Sequence, residues 1–158
     1  MGSGKSYCAK KIAKKLKLAA YDLDNLIEMT EDLTIAEIFE EEGEEYFRKL
    51  EAKILRWFGE KKNFVLATGG GTPCFHNNID WMNENGITIW LDEPIDVLVE
   101  RLKPGKEHRP LIKDLSDEEL GSFLTNKLAE RKPFYSQAKH AMAYSNITEK
   151  NLLKLIQE

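Results

Sequence analysis

The sequence predicts an α/β fold: a small parallel sheet with helices on both faces. Three observations carry this reading. Strand-like runs alternate with helical patterns along the chain. The connections between strands are short and pass through helices, which implies parallel strands and right-handed crossovers. Two strand-like runs lead directly into turns of special composition, "YDLD" and "LATGGG", where open α/β sheets place their ligand-binding groups.

From Lys5 to Leu16, "KSYCAKKIAKKL" repeats Ala9, Ile12, Ala13 and Leu16 at i, i+3, i+4 and i+7, with lysines opposite, and so reads as a helix. "LAAYDLD" is a short strand that ends in acidic residues. Thr34 and Glu37 form a capping box that opens a helix to about Glu42, which Gly43 is expected to break. The next helix is expected from about Glu44 to Lys61, with Phe47, Leu50, Ile54 and Phe58 along one stripe. "NFVLATGGGTP" is a buried strand running into a glycine-rich turn. "GITIWLDEP" is a further strand, and Pro94 opens the helix "PIDVLVERL". The charged, Pro- and Gly-punctuated "KPGKEHRPLIKDL" looks like a mobile loop. Ser116 and Glu119 cap a helix towards Glu130, "RKPFYSQA" turns into a short helix, "HAMAYS" is the last strand and "TEKNLLKLIQE" the last helix. The four strands therefore fall near 18–22, 64–68, 87–91 and 140–144.

Composition narrows the class of function. At 158 residues, with 42% apolar and 32% charged residues, the chain is expected to be one soluble globular domain. No apolar run approaches the ~20 residues of a membrane span, and the start lacks the pattern of a signal peptide. Cys8 and Cys74 have no ligand pattern around them, so two thiols in a reducing compartment, the cytoplasm, are expected. A net charge of −4 argues against nucleic acid as a partner and leaves room for a small anion held by local arginines. His76, His108 and His140 have no metal spacing, and Trp57, Trp81 and Trp90 are read as core or core-edge residues.

Five fragments carry chemistry. Gly2-Ser3-Gly4-Lys5-Ser6 matches the last five positions of the phosphate loop G-x-x-x-x-G-K-[ST]. In such a loop backbone N–H groups turn towards phosphate oxygens and the following helix adds the positive end of its dipole. The lysine reaches the β- and γ-phosphates and the serine hydroxyl ligates Mg²⁺. A chance string rich in Gly and Ser is the alternative. Asp22 and Asp24 are expected on one face of a strand end, one supporting hydrated Mg²⁺ and one accepting a proton from a hydroxyl; alternatively, Asp caps the next helix. Gly69, Gly70 and Gly71 form either a close backbone approach to a ligand or a loose loop. Arg48 shares a helix face with Glu51, either as a solvated ion pair or, together with Arg131, as a clamp for a carboxylate. Arg109, in the charged loop, is either an ordinary loop arginine or one that neutralises phosphoryl charge when the site closes.

Taken together and in this order, GSGKS, "DLD" after a short strand, "GEEYFRKLE", "TGGG" after a strand, "RPL" in a lid and "ERKPFY" resemble shikimate kinase, a family of small P-loop kinases of the nucleoside-monophosphate-kinase type. The resemblance runs from Met1 to about Ala138. It implies a three-layer α/β/α P-loop kinase that phosphorylates the 3-hydroxyl of shikimate from ATP, with Mg²⁺, as a cytoplasmic monomer in aromatic amino-acid biosynthesis. It further implies a single domain over 1–158, with a substrate-binding helical region at 25–61 and a lid at 102–115. Residue by residue, it implies Gly2 to Ser6 on the ATP phosphates, with Lys5 on phosphate and Ser6 on Mg²⁺. Asp22 lies near the metal through water, and Asp24 holds the substrate hydroxyls as base. Arg48 and Arg131 grip the substrate carboxylate, Gly69 to Gly71 approach the substrate, and Arg109 closes on ATP. The family sheet has the order 2-3-1-4-5, and its first strand and first loop glycine precede the position of Met1. Their absence from this chain implies a start at an internal methionine of a longer protein, with a gap between the second and third remaining strands. Two alternatives stay in view: a kinase for another small polyol acid such as gluconate, and a non-catalytic kinase-like binding module.

Overall fold

The structure is a computed structural model that describes residues 2–106 and 112–157. It opens with helix α1, Lys5–Leu16, which buries Cys8, Ala9, Ile12 and Ala13 on the stripe the sequence marks out. Lys17, at φ 56, ends it in the left-handed region, and the Leu18 N–H closes back on the Ala13 carbonyl at 2.8 Å. Strand β1, Ala19–Asp22, follows and gives way at once to helix α2, Leu23–Glu31. Helix α3, Ile35–Glu41, has the expected capping box between Thr34 and Glu37. Gly43, at φ 82, separates it from helix α4, Gly43–Phe58. Strand β2, Phe64–Ala67, leads through the glycine run and a short 3₁₀ turn to helix α5, Asn78–Asn85. Strand β3, Ile89–Leu91, helix α6, Ile95–Leu102, helix α7, Asp117–Tyr135, strand β4, His140–Met142, and helix α8, Glu149–Gln157, complete the order.

Both strand pairings are parallel. β1 pairs with β2 from Ala19 opposite Phe64 to Asp22 opposite Ala67, and β3 pairs with β4 from Ile89 opposite His140 to Leu91 opposite Met142. Among the described residues β2 and β3 are not hydrogen-bonded to each other, so the sheet is two pairs and not one continuous ladder. The break lies between the second and third strands, where the family order leads one to expect it.

Three apolar clusters surround these pairs. Leu23, Ile27, Ile38, Phe47, Ile54 and Leu55 unite α2, α3 and α4, with Leu66 and Trp81 against them. Cys8, Ile12, Ile147 and Leu152 join α1 to α8, with Val65, Ile89 and Leu91 packed on. Leu102, Ile112, Leu120 and Leu124 tie α6 to α7.

Four readings are corrected. The chain turns helical at Leu23, because Leu23, Leu26 and Ile27 all pack into one apolar cluster and a strand would turn Leu26 to the opposite face. α7 runs on to Tyr135 through Pro133, and its last turn is closed by the Ser136 N–H, which bonds the Lys132 carbonyl at 2.9 Å. α4 stops at Phe58, and the Gly59 N–H caps it by bonding the Leu55 carbonyl at 3.0 Å. Trp57 is 60% exposed, because Phe58 takes the inward stripe and turns its neighbour to solvent. Both cysteines are free, Cys8 buried and Cys74 half-buried.

Candidate active site

The amino-terminal turn of α1, the end of β1, the glycine run after β2 and the far end of α7 converge. Gly2 and Gly4 have φ of 72 and 77, so the loop before α1 uses the backbone region that only glycine enters freely. Ser3 is buried and accepts a 3.4 Å hydrogen bond from Lys5 Nζ. Burial holds the Lys5 ammonium below its ordinary pKa, although Asp24 and Asp22 pull the other way. Among the described residues no carboxylate pairs with Lys5 at salt-bridge distance. The Ser6 hydroxyl donates to the Asp22 carboxylate.

Asp22 is the N-cap of α2: its Oδ1 accepts from the Asp24 N–H at 3.1 Å. The helix-cap alternative therefore describes Asp22 correctly, and the two acids do not share a strand face. They nevertheless reach one site, because an N-cap and the second residue of a first turn stand side by side. Burial comes first among the causes that push the Asp24 carboxyl up to about 6, followed by the charges of Asp22 and Glu51.

The glycine run is where the arginines arrive. A Cβ placed on Gly71 would lie 2.5 Å from Arg48 Nη2, and one on Gly70 would lie 2.6 Å from Arg131 Nη1. At Gly69 it would meet Asp24 Oδ1 and Glu51 Oε1, both at 3.3 Å. Each glycine is thus a close approach between backbone and a functional side chain, which excludes the loose loop. Three side chains from three helices, Asp24, Arg48 and Arg131, line one short turn.

Arg48 is not a solvated ion pair. Its Nη1 donates to fully buried Glu51 at 3.0 Å, and Nη2 lies 3.2 Å from Glu44. Its guanidinium also stacks 4.3 Å from the Phe75 ring centre. Arg131 has no carboxylate at salt-bridge distance among the described residues. Arg109 lies outside the described residues.

Sequence reasoning paired Glu51 with Arg48 on one helix face but missed the contacts that make Glu51, Tyr135 and Arg101 supports of the site. Glu51 ties Arg48 to the turn, since its Oε1 accepts from Thr72 Oγ1 at 2.6 Å. Tyr135 donates to the Gly70 carbonyl at 2.6 Å and packs on Trp90 with ring centres 5.7 Å apart. Burial raises the Tyr135 pKa, so the phenol stays a neutral donor. A signal was present: Tyr135 is four residues after Arg131, on the same helix face. Arg101, at the end of α6, donates to Glu93 at 3.1 Å and to the Ser3 carbonyl at 3.4 Å, which braces the loop from below.

The family model for shikimate kinase matches residues 1–158. The chain belongs to the shikimate kinase family. Shikimate kinase of Phocaeicola vulgatus is 42% identical over 154 residues, 98% of this chain and 88% of that protein. That of Flavobacterium psychrophilum is 38% identical over 160 residues, covering all of this chain and 91% of the relative. Among solved structures, shikimate kinase from Bacteroides thetaiotaomicron superposes with a TM-score of 0.88 at 38% identity, covering 99% of this chain and 90% of that one. The Acinetobacter baumannii enzyme in complex with shikimate gives 0.82 at 31% identity, over 99% and 87%. Membership makes the chain a phosphotransferase with the P-loop kinase fold, as the order of motifs implied.

Proposed function

We propose that the chain transfers the γ-phosphoryl group of ATP to the 3-hydroxyl of shikimate, as a cytoplasmic monomer acting on small molecules. The observation that carries the substrate is the convergence of Arg48 and Arg131 on Gly70 and Gly71, with Asp24 beside Gly69. Two guanidinium groups around one turn suit a carboxylate, and an acid next to them suits the hydroxyls of the same small ring. The helical region 25–61 then supplies one side of the substrate site, and 102–115 the lid.

In this reading the loop N–H groups of Gly2 to Ser6 and the start of α1 hold the phosphates, with Lys5 on the transferring group. Ser6 and Asp22 offer adjacent oxygen donors, the hard set that Mg²⁺ prefers, and would hold it with Asp22 acting through water. When bound, Mg²⁺ supplies neutralisation of charge on the β- and γ-phosphates. Arg48 and Arg131 fix the acceptor by its carboxylate and so orient its 3-hydroxyl towards the donor. Asp24 accepts the hydroxyl proton as the oxygen forms its bond to phosphorus and the bond to ADP breaks. Its raised pKa keeps it close to the range of an effective general base. Arg109 is assigned to closure over ATP on its motif alone.

The test is ADP release measured with shikimate, gluconate and a panel of sugar acids as acceptors. Turnover confined to shikimate is expected. Equal or greater turnover with gluconate would replace the acceptor, and binding of shikimate without turnover by the intact protein would favour a non-catalytic module.

A further inference from the structure

Phe75 follows the short 3₁₀ turn Thr72–Cys74, and its side chain is not held by the interior. It is 37% exposed and belongs to none of the three apolar clusters among the described residues. Its ring lies over Arg48, whose Cζ is 4.3 Å from the ring centre. Phe47 also approaches this guanidinium, at 5.1 Å, but Phe47 is buried in the α2–α4 cluster and core packing accounts for its place. Core packing does not account for Phe75.

The backbone around Phe75 is shaped to keep the ring there. Phe75 itself is extended, and the next two residues, His76 and Asn77, both enter the left-handed region, at φ 49 and 53. Two residues with a Cβ persist there in succession only where surrounding contacts hold them. Those contacts come from α4. Arg56 donates from Nη2 to the His76 carbonyl at 2.7 Å and from Nη1 to Asn78 Oδ1 at 2.8 Å. Asn78 is fully buried, and its Nδ2 donates to the Thr72 carbonyl at 2.9 Å. Thr72 in turn donates to Glu51, also on α4, at 2.6 Å. Phe75 lies between these two ties, and the segment returns it to the same helix at Arg48.

The ring acts on the plane of the guanidinium. Arg48 Nε donates to Glu44 at 3.2 Å and Nη1 to Glu51 at 3.0 Å. Nη1 keeps a second N–H, and Nη2, 3.2 Å from Glu44, keeps at least one, so the pair forms the fork that takes both oxygens of a carboxylate. Glu44 is exposed and holds one edge only, which leaves the plane free to rock about the buried Glu51 contact. An aromatic face against the guanidinium removes that freedom and keeps water from it, which strengthens its hold on an anion. We propose that Phe75 is a positioning residue for the acceptor: its ring fixes the plane of the Arg48 guanidinium and so sets the preference for an acceptor that carries a carboxylate. The inference rests on the proposed role of Arg48 as a carboxylate clamp.

Phe75→Leu keeps an apolar side chain and removes the aromatic face, whereas Phe75→Tyr keeps the face. Both are compared with the parent, with Arg48→Ala and with the Arg48→Ala, Phe75→Leu double variant. Calorimetry gives the Kd of shikimate and of its methyl ester, and ADP release gives turnover. Phe75→Leu is expected to raise the Kd of shikimate about threefold to thirtyfold and that of the ester by less than about twofold. The kcat, the KM for ATP and the unfolding midpoint without ligand should stay close to those of the parent. Phe75→Tyr should restore the parent's Kd, and in the Arg48→Ala background Phe75→Leu should weaken shikimate no further, since no guanidinium is left to hold. An unchanged Kd in Phe75→Leu, with Arg48→Ala raising it, would overturn the proposal and leave the clamp standing. Equal weakening of shikimate and ester, additive losses in the double variant, or a loss in Phe75→Tyr as large as in Phe75→Leu would each overturn it too. A parent that does not bind shikimate, or an unchanged Kd in Arg48→Ala, would remove the clamp itself and the proposal with it.

Discussion

Burial and the charges of Asp22 and Glu51 push Asp24 up to about 6 from an ordinary 3.8. Below about pH 4 the carboxyl is protonated whether the chain is folded or unfolded, so it does not influence stability there. Between about pH 4 and 6 the unfolded chain releases the proton first, and stability falls as pH rises. Above 6 the full penalty is present, about 1–2 kcal/mol once solvent screening is allowed for. Asp24→Asn, melted without nucleotide or divalent metal, is therefore expected to exceed the parent by roughly 2–8 °C at pH 8, the gap closing towards pH 4. A gap independent of pH would show that the gain does not come from the charge. If Asp24 is the base, the same variant loses about 10²–10⁴ in turnover, and stability and activity move in opposite directions. Gly71 offers a second test. Its φ of −89 suits alanine, so Gly71→Ala introduces only the Cβ that meets Arg48. Displacing that guanidinium is expected to raise the KM for shikimate about tenfold to a hundredfold, a loss of about 1.4–2.8 kcal/mol of binding, with little change in kcat. A fall in kcat at unchanged KM would remove Arg48 from the role of carboxylate clamp.

At the scale of elements, α2 shows what the sequence discloses and what it withholds. The helices with strong apolar repeats, α1 and α4, were legible to within a few residues, and so were the capping boxes that open α3 and α7. α2 follows β1 without a linker, and "DLDN" satisfies strand alternation and helix capping equally well until the packing of Leu26 beside Leu23 and Ile27 decides between them. α5 was also not anticipated, because "NIDWMNEN" buries only Asn78 and Ile79 and so has little apolar period to read. In the site, the charged residues and glycines were legible by type. Glu51 and Tyr135 each share a helix face with an arginine of the site, which the sequence discloses, but their hydrogen bonds reach Thr72 and Gly70 of a turn distant in sequence, and no local pattern encodes those partners. The anchoring of α2 is open to measurement. Ile27→Ala leaves a cavity in the α2–α4 cluster and is expected to cost about 3 kcal/mol, lowering the midpoint by roughly 6–12 °C. Because α2 begins at the Asp22 cap, the variant should also weaken acceptor binding, and a stability loss confined to a few tenths of a kcal/mol would mean that other contacts fix the helix.

Across the whole molecule, the proposed acceptor site draws on residues from both sides of the break in the sheet. Arg48 stands on α4, whose Phe58 packs on Tyr21 of β1 and Phe64 of β2, whereas Arg131 stands on α7, which packs on α6 and precedes β4. Few polar contacts bridge these halves: Tyr135 to the Gly70 carbonyl at 2.6 Å, Asn83 to the Gln137 carbonyl at 2.8 Å, and Arg101 to the Ser3 carbonyl at 3.4 Å. A carboxylate held by both arginines adds charge-assisted bonds across the same break, where each is stronger than a neutral one. Shikimate binding should therefore stabilise the molecule as a unit. At a hundredfold excess over Kd the gain is about 2.7 kcal/mol, a rise in midpoint of roughly 5–11 °C. Arg131→Ala, tested at the same shikimate concentration, should lose most of that rise while keeping a normal midpoint without ligand, because Arg131 makes no salt bridge among the described residues. The methyl ester of shikimate, which lacks the charge, should behave with the parent as shikimate does with the variant. Hydrogen exchange then separates bridging from one-sided binding: slowing on both β2 and β3 supports a clamp across the break, and slowing on β2 alone would confine the acceptor to the α4 side.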